Sequence, residues 1–326
     1  MPRARFHNVK YLASFGATMT NRGFVFDLMD QTENGGRIHQ ELISRIEAVT
    51  KRTLVVYFAN PGHPGGAMVD ADPDLLENIL RSLEPVADGR KLDLLISSPG
   101  GSPYAAEKIV RVCRSFSTGF RSVVIGRAMS AATMLCLGSD ELIMSETANL
   151  GPIDPQMLQV SANGQQRLVA ASVIISSFQQ MLGAAQQAIT NGQPADPILH
   201  VLGMMDPKAV IESINALEAT KSISTQLLKE GLLKSQPAKA DAAVQALVEQ
   251  GAKELHGKHL YPKYVQSSIG LPVTILPVGS ELDVLLRELA VRVEMYATRK
   301  MLAKYIVALP GGVDINVAVA AVVRGG

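Results

Sequence analysis

Hydrophobic positions in this chain alternate between short unbroken runs and stripes at helical spacing. Leu54-Val55-Val56-Tyr57-Phe58-Ala59, Leu92-Asp93-Leu94-Leu95-Ile96-Ser97 and Ser122-Val123-Val124-Ile125 are apolar runs of strand length. Each predicts a buried strand, and Glu141-Leu142-Ile143-Met144 and Val273-Thr274-Ile275-Leu276 predict two shorter ones. Between the runs the period changes. Leu42, Ile43, Ile46 and Val49 recur at helical spacing within 38–50, and residues 75–83 repeat the pattern. After Ser102, Ala105, Ala106, Ile109, Val110, Cys113 and Phe116 fall on one helical face while Arg111 and Arg114 fall on the other. Strands alternating with crossover helices predict an α/β core around a largely parallel sheet.

The expected helix starts carry capping residues: Asp72 as N-cap before Pro73, Ser102 before Pro103, and Ser280 with Asp283 in capping-box position. Gly126 is expected to break the strand over 122–125, so that a helix opens at Ser130 and runs to Leu137. Helices are predicted over 169–190, 207–233 and 238–255, the last two joined near Ser235-Gln236-Pro237 with charged faces suited to a solvated arm. Leu282, Leu285, Leu286, Leu289 and Val293 form the stripe of a last helix. Beyond Pro310-Gly311-Gly312, the alternation of Val313, Ile315, Val317 and Val319 predicts an edge strand suited to a subunit contact. Residues 1–37 predict loops with one strand at most. The expected organisation is an N-terminal segment (1–50), a core (51–203 and 256–280), a helical arm (204–255) and a C-terminal helix and edge strand (281–326).

Composition narrows the function. With 326 residues, 47% of them hydrophobic, the chain can bury one large core. Its 31 basic and 30 acidic residues leave a formal net charge of +1, and with no Trp there is neither a field nor a stacking platform for nucleic acid. Cys113 and Cys136 sit inside apolar patterns and are expected as reduced core residues. No apolar run reaches the ~18 residues of a spanning helix, and a cytoplasmic location is expected. No metal or cofactor is called for.

Chemistry concentrates in two turns. Ser98-Pro99-Gly100-Gly101-Ser102-Pro103 joins a strand to a helix, and its adjacent glycines allow positive φ and leave N–H groups uncovered by a Cβ. Gly126-Arg127-Ala128-Met129-Ser130-Ala131-Ala132 repeats the plan one strand later. A serine at a helix N-terminus has the helix dipole and free N–H groups beside it, which favour developing negative charge. Ser130 is therefore the candidate nucleophile, with Gly100, Gly101 and Ala131 supplying the oxyanion-hole backbone. The plainer alternative is a small residue that opens a tightly packed helix.

The blocks 92–103, 122–137 and Gly151-Pro152-Ile153-Asp154-Pro155-Gln156 resemble the superfamily of the Clp protease proteolytic subunit and signal peptide peptidase A. Within it they are most similar to the serine dehydrogenase proteinase family. Gly101 and Ser130 stand 29 residues apart, a separation that resembles the one in the Clp subunit, and Gly257-Lys258 with Ser268-Ile269-Gly270-Leu271-Pro272-Val273 resembles a signal peptide peptidase block. The resemblance covers roughly 50–280 and implies a Clp protease/crotonase-like core of repeated ββα units with a helical arm. It also implies a peptide or protein substrate, a homo-oligomer and, in some relatives, membrane association.

The resemblance does not supply a base. The Clp subunit has a histidine near the position of Asp154, the peptidases have a later lysine, and many serine dehydrogenase proteinases have a lysine where this chain has Met129. Here no lysine lies between Lys108 and Lys208 and no histidine between His63 and His200. Asp154 could accept a proton if burial raised its pKa, or could simply form an Asx-type turn. His256 and Lys258, at a structural junction, are the other candidates, against a role as helix-end caps. His63, in the loop 60–66, could reach a site or be a solvated loop residue. Three readings follow: a serine peptidase, a crotonase-like acyl-CoA enzyme, and a catalytically silent oligomeric scaffold.

Overall fold

The structure, a computed structural model, describes residues 35–83, 89–160, 164–253, 258–309 and 311–313. The expectations for residues 1–34, for His256 and for the strand over 314–319 lie outside them.

Seven strands form the main path of one sheet, in the order β10-β9-β1-β2-β3-β4-β8. Strands β1 (Thr53–Ala59), β2 (Lys91–Ser98), β3 (Gly119–Ala128), β4 (Glu141–Met144) and β8 (Thr274–Ile275) run parallel. On the far side of β1, β9 (Lys304–Ala308) pairs antiparallel to it and β10 (Gly311–Val313) antiparallel to β9. The short β5 (Asn149–Leu150) continues beside the end of β3.

The apolar runs are buried on both faces, as parallel strands require. Val55, Tyr57, Leu94, Ile96 and Val124 belong to one core, and Leu54, Val56, Phe58, Leu95, Val123 and Ile125 to the other. That division follows the period-2 alternation of strand side chains. The first core is closed by α2 (Asp72–Ser82), α3 (Pro103–Ser115) and α4 (Ala131–Leu137), joined by buried residues of α7 (Pro207–Glu230) and α8 (Ala240–Lys253). The second is closed by α1 (Gly35–Thr50) and α10 (Glu281–Arg299). Each fully buried leucine contributes about 1.5–3 kcal/mol to this packing.

Beyond β4 the chain makes a hairpin of β6 (Gln156–Val160) and β7 (Gln166–Ala170), then α5 (Ala171–Thr190), α6 (Asp196–Gly203) and the long α7. A short helical turn, α9 (Pro262–Tyr264), precedes β8.

Four details differ from the sequence reading. Gly126 does not end a strand: β3 runs to Ala128, and three of its residues bulge between the Ile96–Val124 and Ser98–Ala128 pairs. The helix expected from 169 starts at Ala171, because 166–170 pairs with 156–160 instead. Asp72 does not cap α2; Ala71 occupies that position without a side-chain cap, and the Asp72 carboxylate is turned into the core. Asp283 takes the Ser280 hydroxyl as its cap but accepts the N–H of Gly279, so the capping box is displaced by one residue.

Candidate functional site

The β3 bulge brings the two turns together. It puts Ala128 opposite Ser98, the last residues of β3 and β2, so both chains turn at the carboxyl ends of neighbouring parallel strands. That is where open α/β sheets form their clefts. Met129 N–H donates to Ser98 O at 3.0 Å, and Ser98 Oγ accepts the Gly100 N–H at 3.1 Å. Ser102 then caps α3 by accepting the Ala105 N–H.

Gly100 is a point of contact between the turns. A Cβ on it would lie 2.8 Å from Ser130 Cβ and 3.0 Å from Ala131 N, and its φ of +96° already favours glycine. Gly101, at φ +149°, lies flush against the backbone of Met68, with no space for a Cβ. Met68 N–H donates to Gly100 O at 2.7 Å and Met68 O accepts Ser102 N–H at 2.9 Å, so Gly101 is bracketed from one side. Its own N–H remains on the other side. Ala131 is the first residue of α4, where backbone donors have no helical acceptor. Neither of these two N–H groups meets a hydrogen-bond acceptor among the described residues.

Ser130 has φ +51° and ψ −119°. A non-glycine residue in that region carries strain of about 1–3 kcal/mol and, at the sharp strand-to-helix turn of a hydrolase, lifts a serine hydroxyl out of the backbone. The residue is half-buried, and its hydroxyl neither caps α4 nor bonds to any other group among the described residues.

Gly100, Gly101, Ser130 and Ala131 all line one cavity of about 550 Å³. Its walls include Ile153, Pro155, Gln156 and Leu168, with Thr220 from α7 and His63 from the loop after β1. His63 is the one titratable side chain lining it among the described residues. Its Nδ1 accepts the Gly65 N–H at 3.0 Å, so the neutral ring carries its proton on Nε2.

Asp154 does not line this cavity. Of residues 153–155, Ile153 and Pro155 line the cavity, while the fully buried Asp154 lies against α5 and α8. Its carboxylate accepts the hydroxyl and the N–H of Ser172, at the first turn of α5. Burial pushes its pKa above the usual carboxylate value, against those two hydrogen bonds and the Lys221 charge. Lys258 also stands elsewhere: its Nζ donates to Gln250 Oε1 at 2.8 Å and lies 5.3 Å from the ring centre of Tyr264. Cys113 and Cys136 are free and buried, and desolvation raises the Cys136 thiol to about 12 and the Cys113 thiol further. Both are inert thiols. Among the described residues no cluster of His, Cys, Asp and Glu could hold a metal, and no helix is long and apolar enough to cross a membrane.

Sequence reading singled out both turns but not the walls contributed by the hairpin and α7. The hairpin had a signal, Asn163-Gly164 in the five residues between Gln156-Met157-Leu158-Gln159-Val160 and Gln166-Arg167-Leu168-Val169-Ala170, since Asn-Gly is a strong hairpin dipeptide. Thr220 had none, because nothing local marks which face of a long helix will meet a distant cleft.

The parallel sheet and the paired turns at its carboxyl edge define an α/β fold of the ClpP-like class. Residues 67–171, just under a third of the chain, match the model of the ClpP-like SDH-type serine proteinase family, and over that segment the resemblance read from the sequence is shown. Two uncharacterized proteins of Methanocaldococcus jannaschii are similar to this chain, at 38% and 34% identity over 86 residues. Each alignment covers 26% of this chain and 30% of the relative, so the chain spans less than a third of the length of these relatives. Among solved structures, a 1510-N membrane-bound stomatin-specific protease matches at 18% identity, covering 40% of this chain and 63% of that one, with a TM-score of 0.28. A TM-score that low bears on neither fold nor site.

Proposed function

We propose that this chain is a serine peptidase of the SDH type, with Ser130 as nucleophile and the Gly101 and Ala131 amides as oxyanion hole. The observation that carries the reading is the packing of Gly100 against Ser130 and Ala131, which sets a strained serine and two unused N–H donors in one cavity. Ser130 Oγ adds to the substrate carbonyl carbon and gives up its proton to a base. The carbonyl oxygen gains the charge and is held by the two amides, a contribution worth about 3–4 kcal/mol for one such donor in a serine protease. Collapse breaks the C–N bond as the base returns its proton to the departing amine, leaving an acyl ester on Ser130, which water hydrolyses.

A hydrolase needs a proton acceptor within reach of the serine. Asp154 is occupied by Ser172, and we assign it to anchoring the start of α5 rather than to proton transfer. His63 is the better candidate, since it lines the cavity; to act it must first release the Gly65 N–H from Nδ1. With no base in contact with Ser130 Oγ among the described residues, the resting site is expected to react slowly. Peptide substrates and assembly into a homo-oligomer remain part of the proposal through the family match alone.

The acyl-CoA reading calls for a carboxylate at the reacting carbon, and none lines the cavity among the described residues. The test is labelling with an alkyl fluorophosphonate, in which Ser130 Oγ displaces fluoride from phosphorus. The wild-type protein is expected to take one label and Ser130→Ala none; a label that survives the substitution overturns the assignment.

A further inference from the structure

Among the described residues one ion pair is wholly buried, and it takes no part in the scheme above. Lys304, on β9, places Nζ 2.7 Å from Asp72 Oδ1 and 2.8 Å from Oδ2, and both side chains are 1% exposed. Asp72 Oδ2 also accepts the Tyr57 hydroxyl at 2.8 Å and the Val69 N–H at 2.9 Å. Replacing a buried ion pair by apolar residues is often neutral or stabilising. An apolar pair would leave the Tyr57 hydroxyl and the Val69 N–H without the acceptor that Asp72 Oδ2 gives them, and that acceptor is what the site uses.

What Asp72 holds is Val69, three residues earlier in the chain. Val69 follows Met68, whose N–H and O bracket Gly101 through Gly100 O and Ser102 N–H. Gly101 lies so close to the Met68 backbone that a shift of Met68 must carry Gly101 with it. We propose that Asp72, fixed by Lys304 and Tyr57, is a positioning residue: it holds Val69 and Met68 so that the Gly101 N–H stays aimed into the Ser130 cavity. This rests on the serine-hydrolase reading of the site.

The same strand braces the loop that carries His63. Asn60 N–H donates to Ala303 O at 2.9 Å and Asn60 Nδ2 to Leu302 O at 3.3 Å, immediately before Lys304. Lys304 and Tyr57 both lie outside the segment matched by the family model. The site thus depends on a strand contributed from near the C-terminal end of the described chain.

The test separates the Val69 hydrogen bond from the charge pair. Asp72→Asn/Lys304→Met removes both charges and keeps an amide oxygen for the Val69 N–H; Asp72→Leu/Lys304→Met removes the acceptor as well. The first is expected to label with an alkyl fluorophosphonate within about twofold of wild type, and the second at least about tenfold more slowly, the loss of one well-placed hydrogen bond. Hydrogen exchange read by mass spectrometry is expected to quicken at Met68 and Ser102 in the second variant alone. Should that variant fail to fold, Val69→Pro deletes the N–H and leaves the ion pair in place, with the same slow labelling expected. Wild-type rates and unchanged exchange in the Leu variant, or in Val69→Pro, overturn the proposal. A wild-type protein that takes no label while the exchange contrast is seen instead overturns the hydrolase reading.

Discussion

Ser130 combines two properties that a residue chosen only for packing does not need: a hydroxyl with no partner among the described residues and a backbone at φ +51°. Alanine there keeps the strain, whereas glycine removes it. Ser130→Gly is therefore expected to be more stable than Ser130→Ala by about 1 kcal/mol in urea denaturation, with neither variant labelled. Asp154 makes the opposite case. A carboxylate whose folded pKa is raised binds its proton more tightly in the folded state, so its contribution is complete below the usual carboxylate pKa and is lost as pH rises through the raised value. Asp154→Asn is expected to flatten this part of the profile of thermal stability against pH and to leave the labelling rate at its wild-type value. A variant that folds but no longer labels would return Asp154 to the catalytic group.

The elements that carry the site owe their positions to features of different reach. The turn over 98–103 was legible from the sequence because the residues that shape it are local, two glycines, two prolines and the Ser102 cap, whose hydroxyl accepts the Ala105 N–H; its bracing by Met68 was not. Ser102→Ala is expected to lower stability by about 1 kcal/mol, read from chemical denaturation. The β3 bulge was not legible, because Gly126 signals a departure from regular pairing without saying whether the strand stops or bulges. Asp72 was misread for a related reason. Asp before Pro at a helix start is ordinary capping chemistry, and only the arrival of Lys304, 232 positions away in sequence, turns it inward. In the hairpin of β6 and β7, strand pairing takes residues 169–170 out of the expected helix, and Leu158 and Leu168 face each other across it at 58% and 65% exposure.

Across the whole molecule the α/β class followed from alternation of period alone, while strand order did not. Nothing in the sequence of Tyr305-Ile306-Val307-Ala308 says that it pairs with β1, on the opposite edge from β4 and β8. That placement matters because it delivers Lys304 beneath the loop holding Gly101. Lys304→Met alone strands the Asp72 charge in the core and is expected to cost about 3–5 kcal/mol, measured by denaturation. Removing both charges together, as in Asp72→Asn/Lys304→Met, is expected to recover most of that loss.

The central claim is that two turns at the ends of β2 and β3 make one reactive serine site. Its most direct test is peptide mapping by mass spectrometry after incubation of the full chain with an alkyl fluorophosphonate. A single phosphonyl adduct on Ser130 is expected, forming slowly because no base is in contact with its hydroxyl among the described residues. An adduct on another serine, or an unmodified protein after exhaustive incubation, would contradict it.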